Sequence, residues 1–276
     1  MPKSLSLPLV VLLAVACSGG RDPAGTLTLA TTTSTRDSGL LEELIPQFEK
    51  DSGIEVKVVA VGSGAALALG RRGDADLLLT HAPEDEEKFI AAGHGTERIP
   101  VMTNDFVLLG PADDPAEIKQ APTLAAAFAQ LARGEGPFVS RADDSGTHQK
   151  EEALWRHAQI RPQGSWYLRA GTGMAAALQI ASEKQAYTLC DRATFLAHRN
   201  RLDLQILAAG DPMLRNPYCV ILVSPQKHPR VNFFAARQFA EHLTSPRVQQ
   251  QIRRFGVAPF GQPLFHPQAA PTPEQP

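Results

Sequence analysis

Cysteine is scarce in this chain of 276 residues: its three thiols, Cys17, Cys190 and Cys219, lack the close Cys/His spacing of a zinc site, so no metal centre is expected. Neither sign of charge dominates. Lys+Arg number 27 against 29 Asp+Glu, giving a formal net charge of −2 and a sequence pI near 6.4, which leaves no basic footprint for a nucleic-acid partner. Beyond residues 5–16 there is no long apolar run, so no transmembrane helix is expected. Nucleotide signatures are missing as well. Gly62-Ser63-Gly64 has neither the G-x-G-x-x-G spacing of a dinucleotide fold nor the Lys of a P-loop, and it lacks the G-x-S-x-G form of a hydrolase elbow. His81 has no nucleophile with a local signature beside it and reads as a hydrogen-bonded structural residue. A secreted hydrolase or transferase built on Ser63 or Ser145 is therefore a poor rival. No catalytic residue and no cofactor is expected. What remains, 43% hydrophobic and 6% aromatic residues over a length suited to two domain-sized cores, is the composition of an ordinary globular protein.

The start of the chain is a targeting segment. Lys3 gives a short positive region, residues 5–16 an apolar core too short to span a bilayer comfortably, and Ala14-Val15-Ala16-Cys17 a small-residue cleavage site. Followed by Ser18-Gly19-Gly20, this resembles a bacterial lipobox in which Cys17 is lipidated; Ala14 stands where such boxes usually carry Leu, and cleavage without lipid is the alternative. Residues 1–17 are thus expected as a signal peptide and 18–25 as a linker, placing the protein in the periplasm or cell envelope with no other membrane contact. Cys190 and Cys219 then remain, and a disulfide between them is left open.

Further along, strand-like segments repeatedly end in small, hydroxyl-bearing turns that open helices. Thr26 to Ala30 alternates with period two and runs into Thr31-Thr32-Thr33-Ser34-Thr35 before a helix that stops at Gly53. Residues 54–61 form a second strand closed by Gly62-Ser63-Gly64. Leu77-Leu78-Leu79 is a short apolar run of the kind buried on both faces of a sheet. Pro137-Phe138-Val139 leads to Ser140-Arg141-Ala142-Asp143-Asp144-Ser145-Gly146-Thr147, and residues 166–170 lead to Gly171-Thr172-Gly173. Ligands in open α/β sheets lie beyond the carboxyl ends of strands, and the N–H groups of a helix's first turn favour an anion. Two such turns precede the break at Gly110-Pro111 and two follow it, which points to a cleft between two lobes that holds a small anion.

The motifs Thr31-Thr32-Thr33-Ser34-Thr35 with Asp37-Ser38-Gly39, Gly70-Arg71-Arg72-Gly73-Asp74-Ala75-Asp76, Asn104-Asp105-Phe106, Ser140-Arg141 with Asp144-Ser145-Gly146-Thr147, and Asn216-Pro217-Tyr218 occur in an order that resembles the substrate-binding proteins of bacterial tungstate ABC transporters. The resemblance spans residues 26–265. It implies an α/β, two-lobed periplasmic binding protein type II fold with mixed sheets and two crossover hinge segments near Gly110 and Asn216. Lobe one would comprise residues 26–109 and 219–266, lobe two residues 110–218, and a disordered tail residues 267–276. Family members usually carry Gly where Ala142 and Cys219 stand.

Residues and resemblance together give an expected oxyanion site of Thr32, Thr33, Ser34, Ser63, Arg141, Ser145, Gly146, Thr147, Thr172 and Gly173. The resemblance implies a tungstate ligand, delivery to a permease and ATPase complex, and a monomer. Molybdate, sulfate or phosphate as true ligand, and an oxyanion-sensing module without a permease, are the alternatives.

Overall fold

Alternating strand-like and helix-like stretches become ten strands and eleven helices in the computed structural model, which describes residues 25–133 and 136–268. The signal segment, Cys17 and the end of the tail lie outside the described residues. In chain order the elements are β1 (Thr26–Thr32), α1 (Thr33–Asp37), α2 (Leu40–Ser52), β2 (Glu55–Val61), α3 (Ser63–Arg72), β3 (Leu77–Thr80), α4 (Pro83–Ala91) and the long β4 (Gly95–Gly110). There follow α5 (Leu124–Leu131), β5 (Phe138–Ser140), α6 (Gly146–His157), β6 (Tyr167–Arg169), α7 (Met174–Glu183), β7 (Tyr187–Asp191), α8 (Arg192–His198) and β8 (Gln205–Ala208). The chain closes with β9 (Arg215–Val223), α9 (Phe233–Thr244), α10 (Pro246–Arg254), α11 (Val257–Phe260) and β10 (His266–Pro267).

The strands run β2-β1-β3-β9-β4-β7-β5-β6, with β10 and β8 also on β4. In the first half β1 pairs in parallel with β2 and β3, while β9 is antiparallel to β3 and β4; in the second half β5 is parallel to β6 and β7, and β7 is antiparallel to β4. Both sheets are mixed. β3 is sandwiched as its apolar run implies, with Leu77 and Leu79 packing toward Leu40, Leu44 and Phe48 of α2 and Leu78 toward Leu67 and Phe89 on the other side. The second half is anchored by Trp155, fully buried and edge-on to Phe128 at 4.5 Å and to Phe138 at 5.3 Å. Burying side chains of this size contributes a few kcal/mol each, on the order of 2–3.

The Gly70-to-Asp76 motif has a structural role. Gly73 ends α3 at φ +74°, and Asp76 accepts N–H bonds from Thr28 and Asn232, both at 2.7 Å, tying the start of β1 to the start of α9.

The chain leaves the first half's sheet between Asp105 and Phe106, ahead of the expected crossing near Gly110, and returns to it at Arg215, beside the expected crossing near Asn216. β4 pairs with β9 up to Asp105 and with β7 from Phe106, so residues 106–109 are hydrogen-bonded into the second half. Asn216, Pro217 and Tyr218 pair with Asn104, Thr103 and Met102 inside the first half's sheet. A continuous strand can exchange partners without any break in its own sequence, which is why Gly110-Pro111 marks only the strand's end. The ordered chain also passes residue 266: Pro267 pairs with Met102, and the Gln268 N–H donates to the Val101 carbonyl at 3.0 Å.

Candidate functional site

Each of the four turns opens a helix, and two of them meet across the halves. Thr32 caps α1, its Oγ1 accepting the Thr35 N–H at 3.2 Å and sharing hydrogen bonds with the hydroxyls of Thr35 at 2.7 Å and Ser34 at 3.1 Å. Ser145 caps α6, accepting the His148 N–H at 3.3 Å, while Gly62 and Gly173 precede α3 and α7. Gly62 and Gly146 face each other's turns. A Cβ on Gly62 would lie 3.6 Å from the Ser145 Cα, and one on Gly146 would fall 2.6 Å from the His81 ring and 2.9 Å from Ser63 Oγ. Glycine at 146 is therefore required by close approach of the two halves.

Ser63 from the first half and Thr147 from the second are 0% and 1% exposed, and neither hydroxyl has a hydrogen-bond partner. Buried polar atoms are normally paired, and an unpaired one is costly, so two such donors at one seam point to a guest that completes them.

Arg141, 3% exposed, brings the positive charge. Its Nη2 lies 2.5 Å from Asp143 Oδ2, and its Nε donates to the Thr172 carbonyl at 3.4 Å, while the Thr172 N–H returns a bond to the Arg141 carbonyl at 3.3 Å. The half-buried Thr172-Gly173 turn is thus stitched to Arg141. Ala142 and Asp144 turn the chain at φ 48° and 56°, so both adopt the left-handed conformation that favours glycine. Of the first-half hydroxyls, Thr32 and Ser34 are buried and bonded to each other, and Thr33 is half-buried.

A polar network under the cleft was not assigned a role in the sequence. His81, at the end of β3, donates from Nδ1 to Asn216 Oδ1 at 2.8 Å; the Asn216 amide donates to Asn104 Oδ1 at 2.7 Å and to the Tyr218 hydroxyl at 3.1 Å. Tyr218 stacks on the His81 ring at 4.7 Å and also meets Ser34. Burial is the main cause lowering the His81 pKa to about 4, so the ring is neutral at pH 7, in keeping with a structural histidine. Asp191, 1% exposed, caps α8 through the Thr194 N–H at 2.9 Å, and burial raises its pKa. The motifs holding Asn104 and Asn216 were visible in the sequence; their pairing was not, because they lie 112 residues apart.

The halves are shut against each other. At the lip of the cleft, beside a cavity of about 340 Å³, Gln149 of α6 donates to Asp85 Oδ2 of α4 at 2.9 Å. Where β4 changes sheets, Arg192 of α8 grips Asp105 with both arms of its guanidinium. Cys190 and Cys219 are both free and buried, which resolves the open question of their pairing; burial pushes the Cys219 thiol up to about 12. No described helix is long and apolar enough to cross a membrane.

The fold around this cleft is that of the periplasmic solute-binding proteins. Residues 19–247 match the model of the PBP superfamily domain. The chain is 48% identical over 248 residues to the tungstate-binding protein TupA of Peptoclostridium acidaminophilum, covering 89% of this chain and 87% of that one. Among solved structures it resembles the tungstate-binding protein TupA of Desulfovibrio alaskensis G20, with a TM-score of 0.76, 43% identity and coverage of 90% of this chain and 100% of that chain. The tungstate ABC transporter structure from Geobacter sulfurreducens is similar at a TM-score of 0.75 and 46% identity, covering 82% of this chain and 96% of that one. The chain belongs to the PBP superfamily and, within it, to the family of these tungstate-binding proteins of ABC transporters.

Proposed function

We propose that this protein captures tungstate, a tetrahedral dianion, between its two lobes and delivers it to an ABC permease and ATPase complex, as a monomer held in the cell envelope by lipid on Cys17. Its relatives' names support the ligand. The site would take donors from both lobes: the hydroxyls of Thr32, Thr33, Ser34, Ser63, Ser145, Thr147 and Thr172, and the N–H groups at Gly146 and Gly173. Arg141 would balance charge, since charge-assisted hydrogen bonds are the strong ones and a buried unpaired charge is expensive. Lobe closure removes the anion from water, which strengthens each of these interactions.

The observation that carries this reading is the pair of buried, unpartnered hydroxyls, Ser63 Oγ and Thr147 Oγ1, facing one seam from opposite halves. Calorimetry against tungstate, molybdate, sulfate and phosphate tests it. Tungstate should bind most tightly, and Arg141→Ala should cost at least about 2–5 kcal/mol of affinity, as does truncating one partner of a buried charged pair. Ser63→Ala and Thr147→Ala should each cost about 1.5–3 kcal/mol of affinity without destabilising the empty protein, because their hydroxyls lack partners before the anion arrives. Unchanged tungstate affinity in all three variants would remove the site assignment.

A further inference from the structure

Glu151 lies four residues beyond Thr147 on α6, about 6 Å farther along the helix axis, and is 2% exposed. Its Oε1 accepts the Trp155 Nε1–H at 3.0 Å and the Tyr167 hydroxyl of β6 at 2.6 Å, and the Ser140 hydroxyl at the end of β5 lies beside it. One carboxyl therefore joins α6, which opens with Gly146 and Thr147 after the Ser145 cap, to β6, the parallel neighbour of the strand that runs directly into Arg141. No lysine or arginine pairs with it among the described residues.

We infer that Glu151 is a positioning residue of the oxyanion site whose negative charge opposes anion binding, so that the protein takes up a proton as the anion is captured. This rests on the oxyanion reading above. As a neutral acid, Glu151 still accepts from Trp155 and Tyr167 and holds the turn in place; as a carboxylate it sets an uncompensated negative charge behind the first turn that faces the dianion, where the low dielectric screens little. Burial pushes its carboxyl up to about 7 against the pull of its hydrogen bonds, so both forms are populated near neutral pH. Linkage is reciprocal: if charge on Glu151 weakens the anion, the anion raises the proton affinity of Glu151.

The neighbouring charged groups are few. On α6 itself are His148 and Glu152, paired at 3.5 Å, and Lys150, which donates to the Met213 carbonyl. β6 contributes Tyr167, pushed above its ordinary range and so a constant donor, and Arg169; β7 contributes Tyr187, Cys190 and Asp191. The packed faces of α5 and β5 bring no charge.

The test is calorimetry of the whole protein with tungstate from pH 6.5 to 8.5, in paired buffers of different ionisation enthalpy. The wild type should take up a fraction of a proton near pH 7, and its affinity should fall by about sixfold across the range if the anion raises the carboxyl's pKa by one unit from about 7. Glu151→Gln should bind with a flat pH profile and no uptake at this site. As a check independent of the variant, carboxyl NMR of the wild type should show one glutamate titrating near pH 7 when empty and higher when loaded. A wild-type slope retained in Glu151→Gln, or no shift of that glutamate on loading, would overturn this inference alone. Failure of the wild type to bind any of tungstate, molybdate or sulfate would overturn both it and the oxyanion reading.

Discussion

Ala142 holds φ 48° beside Arg141, a conformation that costs an L-residue with a Cβ about 1–2 kcal/mol and glycine almost nothing. Ala142→Gly gives back about 0.5–1 kcal/mol as chain entropy, so a net stabilisation of about 0.5–1 kcal/mol is expected in urea unfolding. His81 works through pH. Its folded pKa, about 4, lies below the unfolded value near 6.5, so the unfolded chain binds the extra proton and stability is lost as pH falls from about 6.5 toward 4, by about 3 kcal/mol at the limit. Glu151 acts in the opposite sense, being raised to about 7: its contribution declines as pH rises from the unfolded value toward 7. The two slopes oppose each other, so the check is the difference between wild type and His81→Gln, which should lose its acid sensitivity relative to wild type. Arg141, Ser63 and Thr147 were legible because each sits in a short strand-to-helix turn. His81 was read only as far as a hydrogen bond, since its partner Asn216 lies 135 residues away and no local spacing joins them.

At the scale of elements, the four strand-to-helix turns could be read because capping residues and hydrophobic period change together there. The opening half of β4 could not: residues 95–101 include Glu97, Arg98 and Pro100 and do not alternate, and the strand exists because β9 and its neighbours supply the pairing. The short α1 was hidden for a related reason, as a run of Thr and Ser carries strand propensity until Thr32 caps it. The contact between the starts of α3 and α6 is where elements determine function. Gly146→Ala places a methyl against the His81 ring and Ser63, and crowding of that kind costs about 1–3 kcal/mol. Because it falls where the halves meet, the cost should appear as a roughly ten- to hundred-fold loss of tungstate affinity by calorimetry, with each lobe's secondary structure unchanged in circular dichroism.

For the whole molecule, the two-lobed plan was evident from two pairs of similar turns on either side of a break, whereas the true crossing was not. The apolar run that ends at Gly110 is continuous, and nothing local in it records that Phe106 leaves β9's neighbourhood for β7. That crossing is where Arg192 clasps Asp105, beside a cavity of about 810 Å³, in an arrangement of the halves that leaves Ser63 and Thr147 buried. The central claim is that closure surrounds one oxyanion with donors from both lobes. Crystallography of the tungstate-loaded protein at the tungsten absorption edge tests it most directly. One anomalous peak is expected, within hydrogen-bonding reach of Ser63 Oγ, Thr147 Oγ1 and the Arg141 guanidinium; a peak elsewhere, or one touching a single lobe of a closed molecule, would contradict it.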